Sequence, residues 1–483
     1  MARRLRAGVL FPGLALLLPA CSMAPDYHPP QIAAPGQFKE VAGWSAASPR
    51  DDEARGAWWD AFGDPVLADL EQRAAAASPT LAAALARYDA ARAAARMSEA
   101  DLYPEVGVNG SAARERRSKN RPLSTGSPAE YSDYVAGGSI DYEIDLWGRI
   151  RNQVKAENAE ALASKADLAA ARLSLQASVA DAYFRLRGLD AQAQLLSRSV
   201  DAFSRAYDLT GKRHRGGISS GIDVNRARTV LGNARAQVST VANQRAATEH
   251  EIAALVGELA SSFTLPAHVQ PLEPPSPPMA TPSELLQRRP DIAAAERRVF
   301  AANARIGVAR AAFFPSLSLG AQGGWETTGG SLLTTPNTFW SLGPLSSLLT
   351  IFDGGRRAAQ VKISRADYEE VAADYRGTVL TAFRQVEDSI AAIHHLSDAS
   401  VAQKEAADAA HRTSEIAMSR YRDGASDYLD VVTAQTDALT AERAYISVQT
   451  QRMQASVELV RAMGGGVDVA VASAGTGTGA GAQ

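Results

Sequence analysis

The sequence SIDYEIDLWGR, residues 139–149, contains a change from one periodicity to another. Its even positions from Ile140 to Leu146 are apolar and alternate with polar or acidic residues, which predicts a β-strand with one apolar and one acidic face. Gly148 ends the alternation, and from Arg149 onward the apolar residues follow helical spacing. The stretch therefore predicts a strand that turns directly into a helix.

Residues that punctuate regular structure recur in the second half of the chain. Prolines recur after 211 residues and glycines after 207, the equivalent pairs being Pro79 and Pro290, Pro104 and Pro315, Gly148 and Gly355, Gly217 and Gly424, and Gly257 and Gly464. A period of this length indicates a duplicated domain rather than a solenoid repeat. Because the two offsets differ by four residues between Pro104 and Gly148, we expect a longer loop there in the first copy.

Long helices dominate each copy. From Arg149 the helical pattern continues for about 60 residues, or ~90 Å at 1.5 Å per residue. Apolar residues follow spacings of four and three from Leu175 to Tyr207, and again from Val224 to Val241, which is the pattern of a coiled-coil seam. Glycines at 211, 216, 217 and 221 separate the two segments. We therefore predict an antiparallel helical hairpin in each copy.

The predicted strands could form either a membrane-spanning sheet or a soluble one. Val106 and Val108 predict a partner strand in the first copy, Leu317 and Leu319 repeat it, and a less regular strand follows around residues 340–352. No run of 18 apolar residues occurs after residue 20, so no transmembrane helix is predicted. Alternating strands fit a membrane sheet, which we favour, or a soluble sheet with one wet face. Since open strand edges are prohibitive in hydrocarbon, a four-stranded membrane sheet requires at least two chains.

The amino terminus resembles an export signal. Arg3, Arg4 and Arg6 precede the apolar stretch 7–18, and the sequence LPAC ends at Cys21, the one cysteine of the chain. This pattern predicts a lipoprotein signal peptide removed after residue 20, with an N-acyl group and a diacylglycerol lipid on Cys21. The alternative is an ordinary secretory signal with a chance cysteine.

Composition and motifs argue against an enzyme or a nucleic-acid-binding protein. A net charge of −3 and a pI of 6.2 give no reason to expect nucleic acid as a partner. Gly354 and Gly355 lack a following Lys-Ser/Thr, and no nucleophile elbow occurs. We expect His394 and His395 to point about 100° apart on a helix, without a carboxylate at metal-motif spacing. The sequence therefore predicts no catalytic, cofactor or metal site.

Four motifs resemble one known family. They are WWDAFGDP at 58–65, DLWGR at 145–149, RRPDI at 288–292 and IFDGGR at 351–356. Together with the lipoprotein signal and the duplication, they are similar to the outer-membrane factor (TolC/OprM/NodT-type) efflux lipoproteins. The resemblance implies an α+β membrane protein in which a duplicated unit, two β-strands plus a long α-helical hairpin, trimerises into a 12-stranded β-barrel and a 12-helix α-barrel.

The resemblance also implies a function. A homotrimer anchored in the outer membrane would passively conduct substrates that are delivered by a periplasmic adaptor and an inner-membrane pump of the proton-driven RND type. The sequence is also compatible with two other functions. One is a lipid-anchored periplasmic coiled-coil scaffold, and the other is the outer-membrane component of a type I secretion system. A lipoprotein hydrolase is a distant third.

Site residues carried over from the family lie at the hairpin tips. The periplasmic aperture would contain Leu429, with an acidic ring one turn later where this chain has Thr433, so that Asp430 or Asp427 would supply the charge; alternatively, Asp430 simply caps its helix. Candidate tip and adaptor contacts are Arg422, Tyr421, Arg215, Gly217 and Gly424. The strand-to-helix turns are assigned to Gly148, Arg149, Gly354, Gly355 and Arg356.

The expected organisation of the chain follows from these features. It comprises a signal peptide (1–20), an extended arm (21–65), a first repeat (66–264), a Pro-rich linker (265–282), a second repeat (283–466) and a disordered tail (467–483). The apolar seam of the first hairpin is weak in the second, where Val401 is the one large aliphatic residue between Leu396 and Ile416. We therefore predict that the second hairpin is the mobile one.

Overall fold

The computed structural model describes residues 22–30, 56–116, 118, 130–275 and 288–465. The signal peptide, Cys21, most of the arm, part of the linker and the tail lie outside these residues. The elements, in chain order, are α1 (Pro65–Ala77), α2 (Pro79–Ala100), β1 (Glu105–Arg116), β2 (Glu130–Ile144), α3 (Arg149–Arg215), α4 (Gly221–Leu255), α5 (Pro290–Ala311), β3 (Ser316–Thr327), β4 (Thr338–Leu348), α6 (Arg356–Arg422) and α7 (Tyr428–Ala462).

These elements repeat. A helix, two strands and a helical hairpin occur in the same order in both halves of the chain, which confirms the duplicated unit. We call α3 with α4 the first hairpin and α6 with α7 the second hairpin. In both copies the first helix of the hairpin has 67 residues and the second has 35.

Two glycines mark equivalent close approaches in the two copies. Gly257 and Gly464 follow the hairpins with φ angles of 77° and 88°. A Cβ on Gly257 would lie 2.4 Å from the carbonyl oxygen of Ala77, and one on Gly464 would lie 3.0 Å from that of Arg288. Only glycine combines this left-handed backbone with so close a backbone neighbour. The repeat therefore extends from the sequence to the packing.

The chain divides into two compact units. The strand unit contains the described residues of Met1–Pro29, Ala90–Leu162 and Arg297–Ala372, and the hairpin unit contains those of Pro30–Asp89, Ala163–Glu296 and Ala373–Gln483. Among the described residues, no helix has a stretch that is both long and apolar enough to cross a membrane.

In the strand unit, four antiparallel strands form one sheet in the order β1-β2-β3-β4. The register puts residues of like polarity side by side. One row joins Val106, Ile140, Ala321 and Leu342, and the next row, on the opposite face, joins Gly107, Ser139, Gln322 and Ser341. At these rows the alternation seen in the sequence thus becomes one apolar and one polar face across all four strands. Leu146, expected in β2, lies beyond its last residue, Ile144.

A β-bulge explains the irregular fourth strand. Leu342 and Leu345 of β4 oppose Ala321 and Leu319 of β3, so three steps on β4 match two on β3. The extra residue shifts the alternation by one position and keeps both leucines on the apolar face. The interruption at Pro344 therefore preserves the two-faced sheet.

In the hairpin unit, the predicted seam is the core of the first hairpin. Every seam position from Leu175 to Tyr207 is buried or half-buried, and Leu196 and Phe203 of α3 pack with Leu231 and Val241 of α4. Val238 is the exception, with 37% of its surface exposed. The turn is also shorter than its glycines suggested, because Gly211 lies inside α3 and Gly221 begins α4.

A buried ionic network attaches the start of the linker to the first hairpin. Asp190, almost fully buried, accepts hydrogen bonds from Arg187 at 2.9 Å and Arg245 at 2.7 Å. Arg187 also donates to the carbonyl of Pro266 at 3.0 Å, and Arg245 donates to that of Leu265 at 2.7 Å. Because buried charges are tolerated only when paired and hydrogen-bonded, this network fixes where the chain leaves the hairpin.

Candidate functional site at the hairpin tips

The tip of the second hairpin has two contrasting faces. Immediately after the turn, Leu429, Asp430 and Thr433 are exposed on α7, with 49% of Leu429 accessible. Tyr428 and Val431 are buried on the opposite side. The candidate aperture residues therefore share one outward face of a helix whose other face is packed within the chain.

Asp427 and Asp430 are not held by a cap. Asp427 is the N-cap residue of α7, but its side chain makes no capping hydrogen bond. Within the described part of the chain, the side chain of Asp430 makes no hydrogen bond or ion pair. The alternative that Asp430 caps its helix therefore does not describe this tip.

The equivalent residues of the first hairpin do form a cap. Ser220 and Asp223 make a capping box, in which the Ser220 hydroxyl also donates to the Asp223 carboxylate at 2.9 Å. An aspartate at the N-cap cannot donate such a bond and repels the second carboxylate. The second hairpin has Asp427 at the position where the first has Ser220. Two carboxylates, those of Asp427 and Asp430, are therefore left exposed at the second tip.

Tyr421 does not occupy the exposed position that an adaptor contact requires. It is 2% exposed, and its hydroxyl lies 3.1 Å from the Thr210 hydroxyl and 3.3 Å from that of Ser219. The Arg213 guanidinium lies over its ring, 4.6 Å from the centroid, and donates to the Tyr421 carbonyl at 2.5 Å. Tyr421 therefore joins the two hairpin tips within one chain, and in this chain its side chain presents little surface to an adaptor.

Sequence reasoning missed Arg213, Thr210 and Ser219 as its partners. One signal was available, because Thr210 continues the seam spacing of Phe203 and Tyr207. Arg213 lies in a basic run that reads as a solvated surface. The Arg213 side chain points inward because the second hairpin lies next to it. The sequence of the first hairpin alone does not encode that packing.

A second tyrosine completes this contact. The ring of Tyr428 meets that of Tyr421 edge to face at 5.5 Å. Burial, with smaller contributions from Tyr421 and Asp223, raises the pKa of Tyr428 to about 12. The phenol is therefore neutral at any physiological pH, and the contact is apolar and aromatic.

The remaining tip candidates are exposed. Arg215, Gly217, Arg422 and Gly424 all lie on the surface of this chain. Gly217 and Gly424 have φ angles of 75° and 79°, which explains why glycine occurs in both turns.

The strand-to-helix turns lie where the sequence places them. Gly148, Gly354 and Gly355 have positive φ angles, and Arg149 and Arg356 begin α3 and α6. Arg149 makes two hydrogen bonds to Glu143, at 2.9 and 2.7 Å. A second ion pair occurs in both copies: Arg151 donates to Asp145 at 3.1 Å, and Arg357 donates to Asp353 at 2.6 Å.

The two adjacent histidines differ from expectation. The rings of His394 and His395 lie 5.2 Å apart between centroids. Asp398, one turn later, brings a carboxylate oxygen within 4.8 Å of a nitrogen of each ring. The expectation that the two side chains diverge and lack a carboxylate at metal-motif spacing was therefore wrong.

The segment that begins at Ser22 packs within the strand unit. The Ser22 hydroxyl donates to the Asn152 side chain at 2.9 Å, and the Asn303 side chain donates to the Pro25 carbonyl at 2.9 Å. Gly307 makes room for this segment, because a Cβ there would lie 2.7 Å from the backbone nitrogen of Ala24. Ser22 is therefore held close to the start of α3, where β2 has just ended.

Comparisons with known proteins agree with this architecture. The family described as "Outer membrane efflux protein" matches residues 70–258 and 281–465. The chain belongs to this family. It is similar to the "Probable efflux pump outer membrane protein TtgC" of Pseudomonas putida, with 32% identity over 456 residues that cover 94% of each chain.

Two further relatives extend the similarity. "Outer membrane protein OprJ" of Pseudomonas aeruginosa is 34% identical over 468 residues, which cover 94% of this chain and 95% of OprJ. The solved structure of the outer-membrane channel OprN superposes with a TM-score of 0.85 at 30% identity, over 92% of this chain and 99% of that one. The protein is an outer-membrane channel of an efflux pump, a transport protein rather than an enzyme.

Proposed function

We propose that three copies of this chain form a lipid-anchored channel that passively conducts substrates out of the cell, with its periplasmic aperture at the start of α7. The observation that carries the proposal is the shared outward face of Leu429, Asp430 and Thr433. An apolar ring from Leu429 would narrow the path, and carboxylates from Asp430, with Asp427 beside it, would favour cations there.

The sheet supports a membrane assembly of three chains. Its apolar face suits lipid and its polar face suits a water-filled interior. Among the described residues, β1 and β4 each have a strand partner on only one side, and an open edge cannot persist in hydrocarbon. Pairing β4 of one copy with β1 of the next would close 12 strands into a barrel. The four hairpin helices of each chain, α3, α4, α6 and α7, would supply the 12 helices of the α-barrel.

Docking of Ser22 supports the lipid anchor. It holds the residue after Cys21 beside the start of α3, close to the end of β2, where acyl chains would reach the membrane. Cys21 would carry an N-acyl group and a diacylglycerol lipid. Labelled palmitate should enter the wild type but not Cys21→Ser, while Ser22→Ala should keep the label. Label retained in Cys21→Ser would refute the anchor.

The partners follow from the role in an efflux pump. A channel with no energy source of its own needs an inner-membrane pump, which we propose to be proton-driven and of RND type, and a periplasmic adaptor. The exposed tip residues Arg215, Gly217, Arg422 and Gly424 are the proposed adaptor contacts. Crosslinking from these turns to a co-expressed adaptor tests the assignment, and crosslinks confined to other surfaces would refute it.

Planar-bilayer recordings test the channel and its aperture together. The wild type should conduct and prefer cations, and Asp430→Asn should lower the cation preference because it removes one charge per chain. Asp223→Asn is the matched control, since it makes the same change at the equivalent position of the first hairpin. Unchanged selectivity in Asp430→Asn would refute the aspartate ring, and an absence of conductance in the wild type would favour the coiled-coil scaffold.

A further inference from the structure

A cluster of three possible metal ligands lies on α6, far along the chain from the tip. It consists of His394, His395 and Asp398, all of them exposed. One ligand atom from each, a ring nitrogen or a carboxylate oxygen, lies within 4.8 Å of the other two. We infer that this cluster binds one divalent transition-metal ion of the Zn²⁺ or Cu²⁺ class.

Helix geometry accounts for the convergence. His394 and Asp398 are four residues apart, so their side chains lie on one face of the helix in consecutive turns. The ring of His395 lies beside that of His394, with 5.2 Å between the centroids, and a nitrogen of His395 is within 4.8 Å of the ligand atoms of His394 and Asp398. Ligand atoms around a bound Zn²⁺ are about 3.4 Å apart, since zinc bonds are about 2.1 Å long and tetrahedral. Small rotations of exposed side chains close the remaining distance.

The cluster is free to take a ligand. Among the residues that the structure describes, none of the three side chains makes a hydrogen bond or an ion pair. His411 offers a contrast on the same helix, because its ring already lies 3.0 Å from Glu442 and 3.5 Å from Glu415. Among the described residues, no hydrogen bond or ion pair of His394 has to break before a metal ion binds.

The ligand set selects the kind of ion. Two imidazoles and one carboxylate suit Zn²⁺, Cu²⁺ or Ni²⁺, whereas Mg²⁺ and Ca²⁺ prefer oxygen ligands alone. Three protein ligands leave at least one position for water, so the site is open.

A bound ion would tie together two turns of α6 at the edge of a poorly packed segment. Between residues 397 and 415, only Ser400 and Ala407 are buried. Since a ligand that binds only the folded helix stabilises it, the ion should slow local opening around residues 390–402. This inference concerns metal binding and stands whether or not the chain conducts.

Titration with ZnCl₂ and CuSO₄ tests the site in the full mature protein, purified in detergent without a polyhistidine tag. We expect about one Zn²⁺ per chain by calorimetry, and no binding of Mg²⁺ at the same concentrations. His394→Ala and Asp398→Asn should each weaken Zn²⁺ binding at least about tenfold. His250→Ala, which removes another exposed helical histidine, should bind as the wild type does.

Hydrogen exchange shows which segment of the chain a bound Zn²⁺ ion stabilises. Zn²⁺ should slow exchange in peptides that cover residues 390–402 of the wild type and of His250→Ala, but not of His394→Ala. Circular dichroism would establish that each variant is folded. Unchanged Zn²⁺ affinity in the double variant His394→Ala/Asp398→Asn, or protection of a different segment, would overturn the inference.

Discussion

Glu71 is a buried carboxyl group without a partner. None of its surface is exposed, and neither carboxyl oxygen has a hydrogen-bond partner among the described residues. Burial raises its pKa from the usual 4.5 to about 9. The folded chain therefore keeps this proton at neutral pH, and α1 carries a neutral acid in the core of the hairpin unit.

Replacement of Glu71 should remove a pH-dependent decrease in the free energy of unfolding. Above pH 4.5 the unfolded chain releases the proton while the folded chain retains it until about pH 9. The free energy of unfolding should thus fall by up to about 1.4 kcal/mol for each pH unit in that window. In Glu71→Gln the thermal midpoint should fall less between pH 5 and 8 than in the wild type. Asp69→Asn, an exposed change in the same helix, is the control, and equal slopes in all three proteins would contradict the assignment.

Arg213 should hold the second tip closed. Its stacking on Tyr421 contributes about 0.5–1 kcal/mol, and its charged hydrogen bond to the carbonyl about 1.5–3 kcal/mol. In Arg213→Ala we expect faster hydrogen exchange in peptides covering residues 415–425. Arg215→Ala, an exposed arginine in the same turn, should leave their exchange unchanged. Equal effects of the two variants would mean that net tip charge, rather than the contact, controls opening.

At the scale of elements, the sequence predicted what depends on local periodicity. Seam spacing predicted the first hairpin, alternation predicted β2, and the positions of the glycines predicted the turns. The bulge in β4 was visible only as an interruption at Pro344, because its effect depends on the register with β3. The contacts of Tyr421 and the convergence of His395 on Asp398 depend on packing between helices and on rotamers, which single-chain periodicity does not encode.

The two hairpins differ in how much apolar surface they bury. Between residues 190 and 208 of α3, the buried side chains include Leu195, Leu196 and Phe203, whereas residues 397–415 of α6 bury only Ser400 and Ala407. Less buried apolar area gives less resistance to local opening. We therefore expect faster hydrogen exchange at 397–415 than at 190–208, measured in metal-free buffer. Equal or greater protection of the second segment would contradict a mobile second hairpin.

In the proposed channel one face of the sheet meets lipid, and adjacent residues of β4 distinguish the two faces. Leu342 aligns with Ala321 on the apolar face, and Ser341 aligns with Gln322 on the polar face. An arginine on the lipid face costs about 2–4 kcal/mol at the bilayer centre and less near its edges, whereas the interior tolerates charge. Leu342→Arg should therefore reduce the yield of heat-modifiable trimer in outer-membrane fractions, while Ser341→Arg should assemble and change ion selectivity instead. A larger assembly defect in Ser341→Arg would mean that the polar face, not the apolar one, meets the lipid.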